Sequence, residues 1–209
     1  MLKQPLMPVY AIERHRLTSD GVGVTTLVGS YGCPLKCRYC INFEAWEPKT
    51  LTKCISMTCE ELLYRVKVDH LYFLATGGGI TFGGGESLLH ADFIRSFRVI
   101  CPKEWAICAE TSLNVPPEQF EKSLGVVNDY IVDIKDLNPV IYEAYTGMPI
   151  DRMLHNLSTL IREVPPEHIK VRVPLIHDFN TKADVISSKE ILEDMGFTQI
   201  EIFPYVTRK

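Results

Sequence analysis

Short runs of β-branched and other apolar residues alternate along the chain with longer stretches whose apolar residues recur every three or four positions. The runs are typical of buried strands, and the longer stretches are typical of amphipathic helices. The predicted strands cover residues 22–28, 80–82, 105–109, 130–134, 169–175 and 199–203. The predicted helices begin at residue 58 and cover residues 88–100, 116–124, 139–145, 153–164 and 182–195. Strands that alternate with helices in this way predict an α/β fold with parallel strands and helices outside the sheet.

Specific residues mark several of the predicted boundaries. Thr58 and Glu61 have the spacing of a capping box, and Gly196 follows the last helix as a stop signal. Residues 1–18 carry Pro5 and Pro8 and have mixed polarity, so we expect an N-terminal arm with one short strand. The remaining pattern predicts a single domain, so residues 1–209 form one unit that includes this arm.

Composition narrows the class of protein without naming a function. The chain has 209 residues, of which 46% are hydrophobic and 23% charged, as expected for a globular domain with a sizeable core. The net charge of −4 gives no reason to expect a nucleic-acid or anionic-membrane surface. No apolar run approaches the roughly 20 residues that span a bilayer. We therefore expect a cytoplasmic protein that binds neither nucleic acid nor membrane.

Three of the seven cysteines lie close together in a loop after the first predicted strand. Cys33, Cys37 and Cys40 have the spacing Cys-x3-Cys-x2-Cys, and soft thiolate ligands select zinc, copper or an iron–sulfur cluster. A closed zinc site needs a fourth ligand, but the next cysteine is Cys54 and the next histidine is His70. An iron–sulfur cube held by three cysteines leaves one iron open to a small molecule, which is a catalytic arrangement.

The other four cysteines lie in different predicted elements and have no compact spacing. They are Cys54, Cys59, Cys101 and Cys108. An odd total of seven argues against a disulfide framework and for a reducing compartment. We interpret these four as small buried apolar residues, and a second cluster is the alternative.

The cysteine loop lies among further residues of a recognisable kind. They are the stretch 19–24 upstream, Tyr39, Asn42 and the Gly83-Gly84-Gly85-Glu86 run. This combination resembles the radical S-adenosylmethionine (SAM) enzymes, and most closely the glycyl-radical-enzyme activases, of which the pyruvate formate-lyase activating enzyme is the best known. The resemblance implies an incomplete (β/α)6 barrel of parallel strands, one [4Fe–4S] cluster on Cys33, Cys37 and Cys40, and S-adenosylmethionine as the second cofactor.

The glycine run can be interpreted in two ways. It could simply form a tight turn between a strand and a helix. Alternatively, the missing side chains of Gly84 and Gly85 let a ligand approach the backbone while Glu86 accepts hydrogen bonds from an ammonium group. The resemblance implies that this motif holds the amino group of the methionine moiety, that Tyr39 contacts the adenine, and that Asn42 lies near the cofactor. A core aromatic and a turn former are the alternatives for Tyr39 and Asn42.

Further candidate residues lie at the ends of later strands. By resemblance, Glu110, Thr111 and Ser112 contact the cofactor or a bound cation, although they could also be a polar strand end. Asp133 and Lys135 are two residues apart and share one face of a strand. A salt bridge between them is one interpretation. The resemblance instead makes them catalytic residues, with Asp133 near the substrate or a cation and Lys135 on the cofactor's carboxylate. Arg172 could bind a carboxylate in the same way or form an ordinary ion pair.

The resemblance also implies a chemistry and its partners. One electron from the reduced cluster would cleave S-adenosylmethionine to a 5′-deoxyadenosyl radical, and this radical would abstract a hydrogen atom. The leading hypothesis is abstraction from a glycine of a partner glycyl-radical enzyme under anaerobic conditions, with a flavodoxin- or ferredoxin-like electron donor. One alternative is a compact radical enzyme that modifies a small molecule or a peptide. Another is a non-catalytic iron–sulfur or zinc-binding interaction protein, against which the run from Gly84 to Glu86 argues.

Overall fold

The computed structural model describes residues 4–17 and 19–206, and its strands form one eight-stranded sheet. The strands are β1 (Met7–Leu17), β2 (Val24–Ser30), β3 (Ile55–Met57), β4 (Gly79–Gly84), β5 (Ala106–Thr111), β6 (Asp129–Asp133), β7 (Ile169–Leu175) and β8 (Gln199–Pro204). The helices are α1 (Pro48–Leu51), α2 (Cys59–Val66), α3 (His70–Thr76), α4 (Ala91–Ile100), α5 (Pro117–Glu121), α6 (Pro139–Thr146), α7 (Asp151–Glu163) and α8 (Lys182–Asp194). Short 3-10 helices cover Phe43–Ala45, Lys67–Asp69, Ser87–His90 and Pro166–His168.

The strand order is β3-β1-β2-β4-β5-β6-β7-β8. The six strands β2 and β4 to β8 are parallel, while β1 pairs antiparallel with β2 and with β3. β8 is an outer strand of the sheet and does not pair with β2, so the six parallel strands form an incomplete barrel. This arrangement confirms the predicted α/β class. It also brings the carboxyl ends of the parallel strands to one edge, where α/β proteins place their ligands.

Local sequence signals explain several of the helix boundaries. The Thr58 side chain accepts a hydrogen bond from Glu61 N, and the Glu61 carboxylate accepts one from Thr58 N, so the predicted capping box is confirmed. Thr181 and Asp184 form a second capping box at α8. Gly147 ends α6 in the left-handed conformation that glycine tolerates.

The apolar core lies between the outer face of the sheet and the helices. The Phe82 ring in β4 packs edge-on against Phe93 and Phe97 of α4, with ring centroids 6.5 and 5.7 Å apart. Val28, Phe82 and Ile107 are fully buried on neighbouring strands. Their burial anchors the strands whose carboxyl ends carry the site.

The predicted N-terminal arm is wrong in one respect. The strand in this arm, β1, has eleven residues and is therefore not short. A further strand outside the arm, β3, was not predicted. β1 was hard to recognise because its second half is polar and its pairing with β2 is interrupted by two irregularities. Residues 1–3 and 18 of the predicted arm lie outside the described residues. Across the described ranges, every helix is too short or too polar to cross a membrane.

Candidate active site

The candidate site lies at the carboxyl edge of the parallel strands. The loop with Cys33, Cys37 and Cys40 follows β2, and each of these thiols is free and partly buried. Backbone hydrogen bonds hold the loop on two sides: Glu86 N donates to Gly32 O at 2.7 Å, and Lys36 N donates to Thr146 O at 2.9 Å. The loop is therefore fixed between the end of β4 and the end of α6.

The electrostatics of the cysteine loop favour neutral thiols in the absence of a bound metal. Burial, followed by the charge of Glu86, raises the pKa of Cys33 to about 12, and the charges of Cys37 and Cys40 add to this effect. Burial raises the pKa of Cys37 to about 11, whereas the charge of Lys135 lowers it. A metal centre offsets such a cost because it binds thiolates directly.

The three thiols of this loop are the predicted ligands of an iron–sulfur cluster. In the part of the chain that the structure describes, no three Cys, His, Asp or Glu side chains converge as ligands of one metal ion. Each cysteine of an iron–sulfur cube binds a different iron, so the sulfurs need to surround the cube rather than meet at a point. Three soft ligands on one short loop therefore fit a cluster of this kind.

Each glycine of the run from Gly83 to Gly85, at the end of β4, lies close to a neighbouring group of the protein. A Cβ on Gly83 would lie 2.7 Å from a carboxylate oxygen of Glu110. Gly84 has a φ of +83°, and a Cβ there would overlap the hydroxyl of Tyr10. A Cβ on Gly85 would lie 2.6 Å from Ser30 O. Protein packing therefore requires glycine at Gly84 and Gly85, where backbone atoms are close, whereas the close atom at Gly83 belongs to the end of a flexible side chain. The predicted approach of a ligand to Gly84 and Gly85 stays a prediction.

The Glu86 carboxylate joins the ends of β4 and β5. It is 1% exposed and accepts four hydrogen bonds. Thr111 Oγ1 and Ser112 Oγ each donate at 2.6 Å, Ser112 N donates at 2.8 Å and Leu88 N at 3.2 Å. Burial raises the pKa of Glu86, and these hydrogen bonds act in the opposite direction. The structure thus brings together the predicted residues Glu86, Thr111 and Ser112, while the contact between Glu86 and an ammonium group stays a prediction.

A network of ion pairs crosses the inner face of the sheet. Arg172 Nη1 lies 3.2 Å from Glu110 Oε1 and 3.9 Å from Asp133 Oδ1. Lys135 Nζ lies 3.3 Å from Asp133 Oδ2, so the two residues share a face as their spacing predicts. Arg172 also donates to the carbonyl of Ser19. The salt-bridge interpretation is therefore correct for Asp133, Lys135 and Arg172, and their roles toward a cofactor stay predictions.

Burial and neighbouring charges together shift the pKa of Glu110 and that of Lys135. Burial raises the pKa of Glu110 to about 7. The charge of Arg172 opposes this rise, and the smaller effects of the Asp133 and Asp20 charges add to it. Burial by itself would lower the pKa of Lys135, but the charges of Asp133 and Cys37 raise it well above its usual value. Lys135 is therefore a permanent cation next to the cysteine loop.

Tyr39 and Asn42 lie in the same loop but have different surroundings. The Tyr39 hydroxyl donates to Asp178 Oδ2 at 3.1 Å, and its ring packs edge-on against Phe179 with centroids 5.7 Å apart. Asn42 precedes the 3-10 helix Phe43–Ala45, where its carbonyl accepts from Ala45 N and its side chain makes no capping hydrogen bond. Tyr39 thus lies near the connection between β7 and α8. The predicted adenine contact of Tyr39 and the predicted cofactor contact of Asn42 stay predictions.

Sequence reasoning placed no site residue on β1, yet Tyr10 of this strand reaches Gly84. Nothing in the local pattern could have shown this, because the contact depends on the pairing of β1 with β2. The four cysteines outside the loop form no disulfide. Cys59, Cys101 and Cys108 are buried as interpreted, whereas Cys54 is only partly buried and its thiol donates to Thr50 O at 3.3 Å.

The fold and the cysteine loop define the class of protein. Residues 27–186 match the family model of the Radical SAM superfamily, and the chain belongs to this superfamily. It is therefore an enzyme whose family membership implies a [4Fe–4S] cluster and S-adenosylmethionine as cofactors.

Curated relatives narrow the class to activating enzymes. The chain is 27% identical to the (2S)-3-sulfopropanediol dehydratase activating enzyme of Klebsiella oxytoca, with 94% of this chain and 80% of the relative covered. It is 30% identical to the pyruvate formate-lyase 1-activating enzyme of Escherichia coli K12, with 90% of this chain and 76% of the relative covered. These matches confirm the predicted resemblance.

Solved structures share the fold at lower identity. Streptococcus suis SuiB bound to precursor peptide SuiA matches with a TM-score of 0.64 at 12% identity, covering 86% of this chain and 38% of that chain. QueE from Escherichia coli matches with a TM-score of 0.50 at 13% identity, covering 97% of this chain and 95% of that chain. At these identities the likeness concerns the fold alone.

Proposed function

We propose that this enzyme is an activase that abstracts a hydrogen atom from a glycine in a partner glycyl-radical enzyme. The observation that carries the proposal is the placement of the cysteine loop beside Glu86 and Lys135 at the carboxyl edge of the parallel strands. The activating enzymes among the curated relatives support the kind of substrate. When bound, the reduced cluster and S-adenosylmethionine supply a 5′-deoxyadenosyl radical for the abstraction.

The chain's own residues would hold the two cofactors. Cys33, Cys37 and Cys40 would bind one cluster. The permanent cation of Lys135 would bind the carboxylate of S-adenosylmethionine, because a partly buried ammonium next to the cysteine loop attracts an anion. The hydroxyls of Thr111 and Ser112, which Glu86 orients, would face the cofactor beside Gly84 and Gly85.

The remaining predicted site residues would complete the same cavity. Arg172 is held by Glu110 and Asp133, so its guanidinium is fixed on the inner face of the sheet, where Asp133 would meet the substrate. Tyr39 would contact the adenine, with Asn42 close to the cofactor. A radical intermediate must be held in a rigid site from which water is excluded. The ion pairs of this network would keep the side chains of the site in place.

The open side of the barrel suits a macromolecular substrate. β8 ends the sheet on one side without a further strand among the described residues, and four of its six residues are exposed. A protein loop could reach the inner face of the sheet from this side. We further propose a cytoplasmic, anaerobic setting and a flavodoxin- or ferredoxin-like electron donor. We also propose that the protein has no nucleic-acid or membrane partner, because its net charge of −4 does not favour polyanionic surfaces.

The proposal is tested anaerobically with reconstituted protein. The protein is loaded with iron and sulfide, reduced and given S-adenosylmethionine, with and without candidate glycyl-radical proteins from the same genome. We expect release of 5′-deoxyadenosine together with a new glycyl radical signal in one partner, and neither with Cys37→Ala. Cys54→Ser is the matched control, because Cys54 donates to Thr50 O outside the three-cysteine set.

Two outcomes would contradict the proposal. Cleavage of S-adenosylmethionine without a radical signal in any partner would favour the alternative of a small-molecule or peptide substrate. Full activity of Cys37→Ala would contradict the three-cysteine ligand set itself.

A further inference from the structure

β1 contains an extra residue at Tyr10. Val9 pairs with Ser30 and Ala11 pairs with Gly29, so two steps along β1 match one step along β2. Such a bulge redirects the side chain of the extra residue. Here the Tyr10 ring lies over Gly29, because a Cβ on Gly29 would be only 3.1 to 3.2 Å from two carbons of the ring.

The bulge carries the Tyr10 hydroxyl to the glycine run of the candidate site. The hydroxyl occupies the space that a Cβ of Gly84 would fill, and Gly84 directly precedes Gly85 and Glu86. Tyr31 N donates to Pro8 O at 2.8 Å, so this part of β1 lies beside the start of the cysteine loop. A residue of β1 thus lies beside the glycine run at the end of β4.

The Tyr10 hydroxyl retains its capacity to form hydrogen bonds. Two buried tyrosines elsewhere have partners, since the Tyr130 hydroxyl pairs with Ser123 at 2.9 Å and the Tyr142 hydroxyl accepts from Asn114 at 2.9 Å. Tyr10 is only partly buried, so its hydroxyl is not enclosed as theirs are. Burial raises the pKa of Tyr10, so the phenol stays neutral and can both donate and accept.

We propose that Tyr10 is a binding residue of the cofactor cavity and that its hydroxyl forms a hydrogen bond with the amino-acid end of S-adenosylmethionine. The inference rests on the proposed function, because it assumes that this cofactor occupies the cavity. The position of Tyr10 decides which end it meets. The Tyr10 hydroxyl lies at Gly84, directly before Gly85 and Glu86, whereas the Tyr39 ring packs against Phe179. The amino-acid end carries both an ammonium and a carboxylate, and a neutral phenol can bond to either group.

Equilibrium binding of two ligands tests this assignment. The reconstituted protein is titrated with S-adenosylmethionine and with 5′-methylthioadenosine, which has the same nucleoside but lacks the amino-acid end. Tyr10→Phe keeps the ring on Gly29 and removes one hydrogen bond, so we expect S-adenosylmethionine to bind about three- to tenfold more weakly and 5′-methylthioadenosine to bind unchanged. Tyr64→Phe is the matched control and should change neither affinity, because Tyr64 is 71% exposed on α2.

The outcomes separate this inference from the proposed function. Unchanged binding of S-adenosylmethionine to Tyr10→Phe would overturn the inference, and equal weakening of both ligands would overturn it in favour of a packing role. A protein that binds S-adenosylmethionine but forms no radical in any partner would overturn the activase function, while the Tyr10 comparison would still decide the inference. A wild-type protein that binds no S-adenosylmethionine would overturn both.

Discussion

At Glu86 a single carboxylate organises the polar groups that follow the neighbouring strand. Oε1 accepts from Thr111 and Leu88, and Oε2 accepts twice from Ser112. A carboxylate has about four lone-pair sites, so these four bonds occupy them. Glu86 is therefore suited to positioning Thr111 and Ser112, which in turn are available to a ligand.

A substitution at this residue separates positioning from cluster binding. In Glu86→Gln an amide NH2 replaces one of the two carboxylate oxygens. This NH2 is a donor that would face other donors, so we expect a loss of about 2 kcal/mol in the free energy of unfolding. S-adenosylmethionine should bind more weakly, while the absorbance of the reconstituted cluster stays intact because Glu86 is not a ligand. Urea denaturation, ligand titration and visible spectra measure the three effects. The exposed Glu118→Gln is the control, and loss of cluster absorbance in Glu86→Gln alone would contradict this role.

At the level of elements, the end of β4 is packed against the end of β2 and the cysteine loop. Gly85 N donates to Ser30 O at 3.1 Å, and Glu86 N donates to Gly32 O at 2.7 Å. Such close approach of two backbones requires the absence of a side chain at Gly85. The glycine therefore determines where the cysteine loop lies relative to β4.

Two glycine substitutions distinguish close packing from backbone conformation. Gly85→Ala forces the backbone of Ser30 and Gly32 apart, so we expect it to cost about 3 kcal/mol and to lower the iron bound per chain. Gly77→Ala has open space around it but a φ of +70°, so it should cost about 1 kcal/mol and leave the iron content unchanged. Denaturation midpoints and iron analysis measure the difference. Equal effects of the two substitutions would show that the cysteine loop does not depend on this packing.

On the scale of the whole molecule, the charge network connects three strands with the segment between β1 and β2. Arg172 of β7 binds Glu110 of β5, approaches Asp133 of β6, and donates to the Ser19 carbonyl. Thr81 of β4 donates to the carbonyl of Asp20 in the same segment. The inner face of the sheet is thereby covered by polar groups that are mutually paired.

The network makes stability depend on pH in a defined direction. The pKa of Glu110 is about 7 in the folded protein, against a usual value of 4.5. Between these values the folded state holds a proton that the unfolded state has released, so this contribution to stability is present below the lower value and is lost as pH rises through about 7. We expect Glu110→Gln to remove this part of the fall in melting temperature between about pH 4.5 and 7. Glu118→Gln should retain the wild-type dependence, and an unchanged pH profile of Glu110→Gln would refute the assignment.

Local signals predicted much of the fold but less of the site. β7 has the predicted bounds, and the capping box of Thr58 begins α2, because strand periodicity and capping are properties of neighbouring residues. β1 was predicted only as an arm with one short strand, since a strand whose second half is polar becomes recognisable only through its pairing. The loop of Cys33, Cys37 and Cys40 was found from spacing alone. Tyr10 was not, because its neighbour Gly84 is distant in the sequence.

The sequence by itself determined the alternation of strands and helices, the three-cysteine loop and the family to which the chain belongs. These features are encoded in periodicity, turn residues and short spacings, which act over a few neighbouring positions. Only the tertiary structure decided that Glu86 holds Ser112, that Arg172 binds Glu110 and that Tyr10 reaches Gly84. Such contacts depend on strand order, register and bulges, because these bring distant residues onto the same face of one sheet.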